Sequence, residues 1–325
     1  MIRIGAALVP LLGLALLGAR EGEVRLRIAP YMGVDPSLEL EAPGAAVRAI
    51  ATPAAGGRVP HYSVGGEDVM WAIPGREGPA RPGGYQCDVG PEMRLIPRHP
   101  VLWSGEYAWR RTGEAAFTLT SAPDPVLGLQ LERDVEMDAT GAITILQRMR
   151  NVTEGEKSYC LWDRTLCKAG GFTLIPLSES SRFPARWVLG KRNEAAWDYD
   201  GVEPAHQNVR VMDGVLVVRS QGPEQKVGAD SDAGWIAYVR GRVLFVKYYP
   251  YDPGGRYSDG GLSVAHYYNE ALAELEPISP EVTLAEGEEY VFPERWTIKR
   301  LDREVTTHEQ ARALVPAIPP SSFRD

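Results

Sequence analysis

Apolar residues along this chain recur at every second position far more often than at helical spacing. Val24, Leu26 and Ile28 alternate with Arg25 and Arg27, Ile143 and Ile145 repeat the pattern, and the runs 214–220 and 235–249 are dense in Val, Leu, Ile and aromatic side chains. Alternation of this kind places successive side chains on opposite faces of a strand. The sequences Asp138-Ala139-Thr140-Gly141 and Arg240-Gly241-Arg242 are short turn signals, and short turns join antiparallel neighbours. Helical periods do not alternate with the strands, which excludes a doubly wound α/β architecture.

One helix is expected late in the chain, where Thr306 and Glu309 have capping-box spacing ahead of a short amphipathic stretch, and Pro316 with Pro319-Pro320 ends it. Glycine and proline are scattered as turns rather than gathered into a linker. The expected fold is therefore all-β: a large antiparallel β-sandwich forming a single domain over residues 21–325, with a short C-terminal helix and a proline-rich tail.

The first twenty residues read differently. Arg3 precedes an apolar run from Ile4 to Ala19 that ends in small residues, the pattern of a signal peptide. The run is shorter than the roughly 20 apolar residues a membrane span needs, so residues 1–20 are read as removed on export and the mature chain as starting near Arg20, periplasmic or secreted and without a membrane span. A net charge of −8 with dispersed basic residues leaves no positive stripe for phosphate, so no nucleic-acid partner is expected. The three cysteines, Cys87, Cys160 and Cys167, cannot all pair and match no zinc spacing. On a continuous strand Cys160 and Cys167 would point to opposite faces, which argues against a bridge between them. No cofactor or metal is implied.

Four segments carry candidate chemistry. In 83–92 a glycine pair and a Gly-Pro-Glu corner bracket polar groups, ending at Glu92, with Arg94, His99 and Trp103 beyond; glycine pairs either let backbone approach a ligand or simply turn. In 159–171 the strand-like sequence contains Asp163 and Arg164, charges that need partners or a wet cavity. Alternation puts Trp162 and Arg164 on one face and Asp163 and Thr165 on the other. The third segment gathers Lys247, Tyr248, Tyr249, Tyr251, Tyr257 and Asp259; flat amphipathic rings beside polar groups suit a sugar, and tyrosine is also ordinary in strands. In the fourth, Glu274 and Glu276 share one face of a late strand, where two like charges raise each other's proton affinity.

The order of Gly56-Gly57-Arg58, Val69-Met70-Trp71, the Gly-Gly to Gly-Pro-Glu loop, Trp162-Asp163-Arg164-Thr165, Glu274-Leu275-Glu276-Pro277 and Glu294-Arg295-Trp296 resembles the galactose mutarotase-like (aldose 1-epimerase) superfamily over about residues 24–300. The resemblance implies a supersandwich and a carbohydrate ligand, with Glu276 matching the glutamate that takes the anomeric proton in catalytic members. It also implies a central histidine near residues 162–165, where this chain has Asp163 and Arg164; Asp163 or His266 would then act with Glu276. Expected ligand contacts are Glu92, Arg94, His99, Trp103, Arg164, Lys247, Tyr248 and Asp259. Five of these charged groups, Glu92, Asp163, Arg164, Lys247 and Glu276, are expected to converge on one cleft. A non-catalytic sugar binder and a structural component of the cell envelope are the alternatives, and the oligomeric state is left open.

Overall fold

The computed structural model describes residues 23–73, 83–95, 99–192, 197–199 and 207–324, so the segment read as a signal peptide lies outside the described residues. Of these residues 57% are strand and 6% helix. The alternating stretches form two antiparallel sheets. The larger has thirteen strands. Its main path runs Arg25–Tyr31, Val34–Ala42, Val47–Thr52, Arg58–Val64, Tyr85–Gly90, Lys157–Lys168, Leu272–Pro277, Val264–Tyr268, Gln225–Ala229, Val188–Arg192 and Trp197–Tyr199. The smaller has nine, in the order Val209–Met212, Val215–Ser220, Gly171–Pro176, Trp235–Tyr248, Glu289–Val305, Ile143–Asn151, Leu129–Met137, Ala116–Ser121 and Tyr107–Gly113.

The sheets stack on a shared apolar core, as sheets with one apolar face each must. Trp296, fully buried, meets Tyr85, Tyr62 and Phe245 with ring centroids 4.9, 6.0 and 5.7 Å away. The Leu129–Met137 and Ile143–Asn151 strands bury every second residue, so only one of their faces is covered. The central strand Lys157–Lys168 is buried at every position from Cys160 to Cys167. Something other than the second sheet therefore covers its far side, where Trp162 and Arg164 lie.

Two local expectations need correction. Arg240-Gly241-Arg242 is not a hairpin turn: the strand Trp235–Tyr248 runs through it, with a register shift between Gly241 and Val243 against Glu289–Val305. Gly241, at φ +59°, stands at this break, and the extra residues of the irregularity lie on the Glu289–Val305 strand. The helix His308–Arg312 is capped one residue later than expected, by Thr307, whose side chain accepts from the Gln310 N–H, while Gln310 Oε1 accepts from the Thr306 N–H. Ala311 of this helix packs with Phe172, Val217, Val246 and Tyr248 on the outer face of the smaller sheet.

Candidate functional site

Strand pairing fixes which side chains share a face. On the central strand Trp162 lies opposite Asp88, and Arg164 opposite Gln86. Leu166 lies opposite Glu274 on the other side. Glu274 in turn faces Tyr267, which faces Lys226. Asp88, Trp162, Arg164, Glu274, Glu276 and Lys226 therefore stand on one face of the larger sheet, the face turned away from the smaller sheet.

Arg164 is the hub of this face. Its Nη2 donates to Glu92 Oε1 at 3.0 Å and its Nη1 to Glu276 Oε2 at 3.2 Å. Glu274 Oε2 and Asp88 Oδ2 each lie 3.6 Å from the guanidinium. Lys226 Nζ donates to Glu92 Oε2 at 2.8 Å and lies 3.1 Å from Glu276 Oε2. Trp162 Nε1 donates to that same oxygen at 2.8 Å. Both cations approach the Trp162 ring, each 5.1 Å from its centroid. Buried charges persist when they are paired and hydrogen-bonded in this way. The indole is fully buried and covered by cations, so it is not a stacking surface for a ligand in this arrangement.

Glu92 enters from the short 3-10 turn Glu92–Arg94, and its backbone N–H donates to Asp259 Oδ2 at 3.2 Å. Burial, then the Glu92 charge, raises the Asp259 carboxyl above its ordinary range. Glu274 is pushed up to about 7, first by burial and then by the like charge of Glu276. Beside the charges Cys160, Trp162, Val188, Leu262, Ala265 and Ile278 form an apolar group that Phe183 packs against. The face thus joins an acidic, partly neutralised half to an apolar half, the mixed lining that a small polar ligand with an apolar ring needs.

Of the eleven residues singled out in the sequence, Glu92, Arg164, Glu276 and Asp259 meet here, and Arg94 pairs with Glu281 at 2.9 Å nearby, its side chain half exposed. Asp163 and Lys247 do not join them, which corrects the expected five-charge cleft. They lie on the opposite face, between the sheets, where fully buried Lys247 Nζ donates to Asp163 Oδ1 and to Thr165 Oγ1 (2.8 Å) and sits 3.3 Å from Glu294 Oε2. Burial, then the Glu294 charge, raises the Asp163 carboxyl. Tyr248 belongs to the apolar cluster beneath the C-terminal helix, on the far side of the smaller sheet. His99 Nδ1 lies 3.7 Å from Asp124 Oδ1, and Trp103 carries the Arg58 guanidinium 5.2 Å above its ring.

His266 is also between the sheets. Its Nδ1 donates to the Glu274 carbonyl at 2.8 Å, and Nε2 accepts from the hydroxyls of Ser220 (2.8 Å) and Thr173 (3.1 Å). Burial lowers its pKa from 6.5 to about 4, so it stays neutral and holds the strands together. Below pH 6.5 the unfolded chain takes up a proton that folded His266 refuses until about pH 4. Stability should be intact above 6.5 and fall by roughly 3 kcal/mol as pH drops through that window. In His266→Asn, whose amide can still reach the Glu274 carbonyl, urea unfolding should show that much less loss between pH 7 and 4; an unchanged slope would assign the acid sensitivity elsewhere.

Lys226 and Asp88 were not singled out from the sequence, and Trp162 was placed only by its face. Lys226 sits in a five-residue strand after a polar stretch, and only the strand order reveals that it faces Glu92 and Glu276. Among the described residues no three His, Cys, Asp or Glu side chains are grouped to hold a metal, and no helix is long and apolar enough to cross a membrane.

No family model matches the chain, and no curated protein matches it. Solved structures do. A galactose mutarotase-like protein from Lactobacillus casei superposes with a TM-score of 0.57 at 9% identity, over 78% of this chain and 98% of its own. Galactose 1-epimerase from Lactobacillus acidophilus superposes with a TM-score of 0.56 at 11% identity, over 86% and 99%. The fold is the galactose mutarotase-like antiparallel sandwich.

Proposed function

We propose that this chain recognises a carbohydrate on the Arg164 face of its larger sheet and that the Glu274/Glu276 pair there serves anomer interconversion of a sugar. The observation that carries the reading is the meeting of Glu92, Arg164, Lys226, Glu274 and Glu276, contributed by four separate segments, on one face of this fold. Carboxylates held by cations accept hydrogen bonds from sugar hydroxyls, and the partly buried Phe183 beside them suits an apolar ring. In the interconversion a carboxylate removes the anomeric hydroxyl proton, the C1–O5 bond breaks as C1=O forms, and the ring oxygen takes a proton before reclosure.

One observation favours a second reading, a sugar binder without turnover. None of the four described histidines touches the Arg164 cluster, whose two cations are engaged by Glu92 and Glu276. Calorimetry with a panel of aldoses and oligosaccharides, combined with NMR exchange between anomers, separates the two. An isomerase accelerates exchange of the sugar it binds. A binder shows saturation alone. In both cases the indole N–H resonance of Trp162, assigned through Trp162→Phe, should shift on binding because it reports on Glu276. No saturable sugar binding, with that resonance unmoved, would sink the carbohydrate reading and leave a structural role.

A further inference from the structure

The two glutamates of this face are chemically unequal, although they stand two residues apart on one strand and sequence likeness points to the second. Glu276 is fully buried, and a single oxygen, Oε2, receives Trp162 Nε1, Arg164 Nη1 and Lys226 Nζ at 2.8, 3.2 and 3.1 Å. Two cations and an indole donor converge on that oxygen, and the residue has no surface exposed to solvent. Glu274 differs on each count. Its side chain keeps 18% of its surface exposed, the nearest cation is Arg164 Nη1 at 3.6 Å, beyond hydrogen-bond length, and its carboxylate has no hydrogen bond among the described residues.

We infer that Glu274 is the carboxylate of this face that exchanges protons with a ligand, and that Glu276 is a positioning residue that holds Arg164 and Lys226 in place beside Glu274. The inference deepens the carbohydrate reading, on which it rests for the identity of the proton's partner. Glu274 takes the anomeric O–H proton, the freed electron pair forms C1=O, the C1–O5 bond breaks, and solvent water supplies the proton to the ring oxygen; reclosure reverses the transfers.

Charged and titratable groups face Glu274 from every neighbouring segment: Glu276 on its own strand, Arg164 on the central strand, Glu92 from the 3-10 turn, Lys226 two strands away and Tyr267 directly opposite. The two cations are engaged by Glu92 and Glu276 at shorter range than by Glu274. Glu274 is left as the least compensated negative charge. Its affinity for a proton near neutrality follows from that placement, and a group titrating near the working pH is the effective general base or acid.

The test is a carboxyl-resolved NMR titration of the whole chain with carbon-labelled glutamate, followed by kinetics. In the wild type one glutamate should titrate near pH 7, and Glu274→Gln should erase that transition. Glu276→Gln should move it down toward the ordinary glutamate value of about 4.3, because the like charge is removed while Arg164 remains. If the transition survives in Glu274→Gln, or if all glutamates titrate below pH 5, the inference is overturned; Glu274→Gln decides this alone should Glu276→Gln fail to fold. With the sugar found by calorimetry, Glu274→Gln should slow anomer exchange at least about 100-fold with affinity changed only a few-fold, whereas Glu276→Gln should weaken both. Equal loss of rate in the two variants, with the pH profile unmoved by Glu274→Gln, would reassign proton transfer to Glu276. A Glu274 transition near pH 7 in a protein that turns over no sugar supports the proton assignment and refutes the carbohydrate reading.

Discussion

Lys247→Met should cost about 3–5 kcal/mol of stability at pH 7, because it leaves Asp163 and Glu294 facing each other in the core without their shared cation. All three side chains are fully buried. Asp163 is already raised by burial and by Glu294, and removing the lysine raises it further. The folded variant should then hold a proton at pH 7 that the unfolded chain has released, so its stability should partly recover as pH falls toward 5. That direction is opposite to the one expected from His266. Urea midpoints at pH 7 and pH 5 check both statements; a loss under about 1 kcal/mol, or one that deepens on acidification, would contradict the buried-cation account.

Gly84→Ala should be as damaging, on the order of 4 kcal/mol or more, for reasons unrelated to charge. A Cβ at this position would lie 2.1 Å from the Val59 carbonyl oxygen and 2.4 Å from Pro60 Cα, at a φ of +67°. Both obstructing atoms are backbone, and no rotamer relieves them. Gly84 also donates to the Trp71 carbonyl and accepts from the Leu166 N–H, which seats the Tyr85–Gly90 strand against the central strand and so aims Glu92 at Arg164. Gly66→Ala is the control: φ is +81° with nothing within 4 Å, so only the left-handed backbone cost of about 1 kcal/mol remains. Similar thermal shifts in the two variants would show that the close approach at Gly84 relaxes.

This glycine pair illustrates what the sequence could and could not convey. Close backbone approach is legible in Gly83-Gly84, but the approaching partners are the chain's own backbone, at Trp71 for Gly83 and on the strand Arg58–Val64 for Gly84. The all-β class and antiparallel pairing follow from alternation, which is a local property. The face that holds Trp162 and Arg164 was legible for the same reason. That parity also bars Asp163 from the face of Arg164, so a cleft containing both conflicted with the alternation from the outset. Lys247 pairs with Asp163 inside, as parity on both strands allows. Lys226 escaped because its role depends on which strand lies beside Val264–Tyr268, and strand order is set by long-range pairing that no window of sequence contains. The difference between Glu274 and Glu276 depends on donor counts at each oxygen, which only three-dimensional placement reveals.

The three cysteines are free and buried. Cys87 and Cys167 sit in the inter-sheet core and Cys160 in the apolar group beside Arg164. Burial pushes the Cys160 thiol up to about 12 and raises the other two as well, so none presents a thiolate to an oxidant while the sandwich is closed. No covalent crosslink among them supports the two sheets; packing, hydrogen bonds and the buried Lys247–Asp163 pair hold them. The folded state is consequently indifferent to redox poise: it neither gains a staple under oxidising conditions nor loses one under reducing conditions.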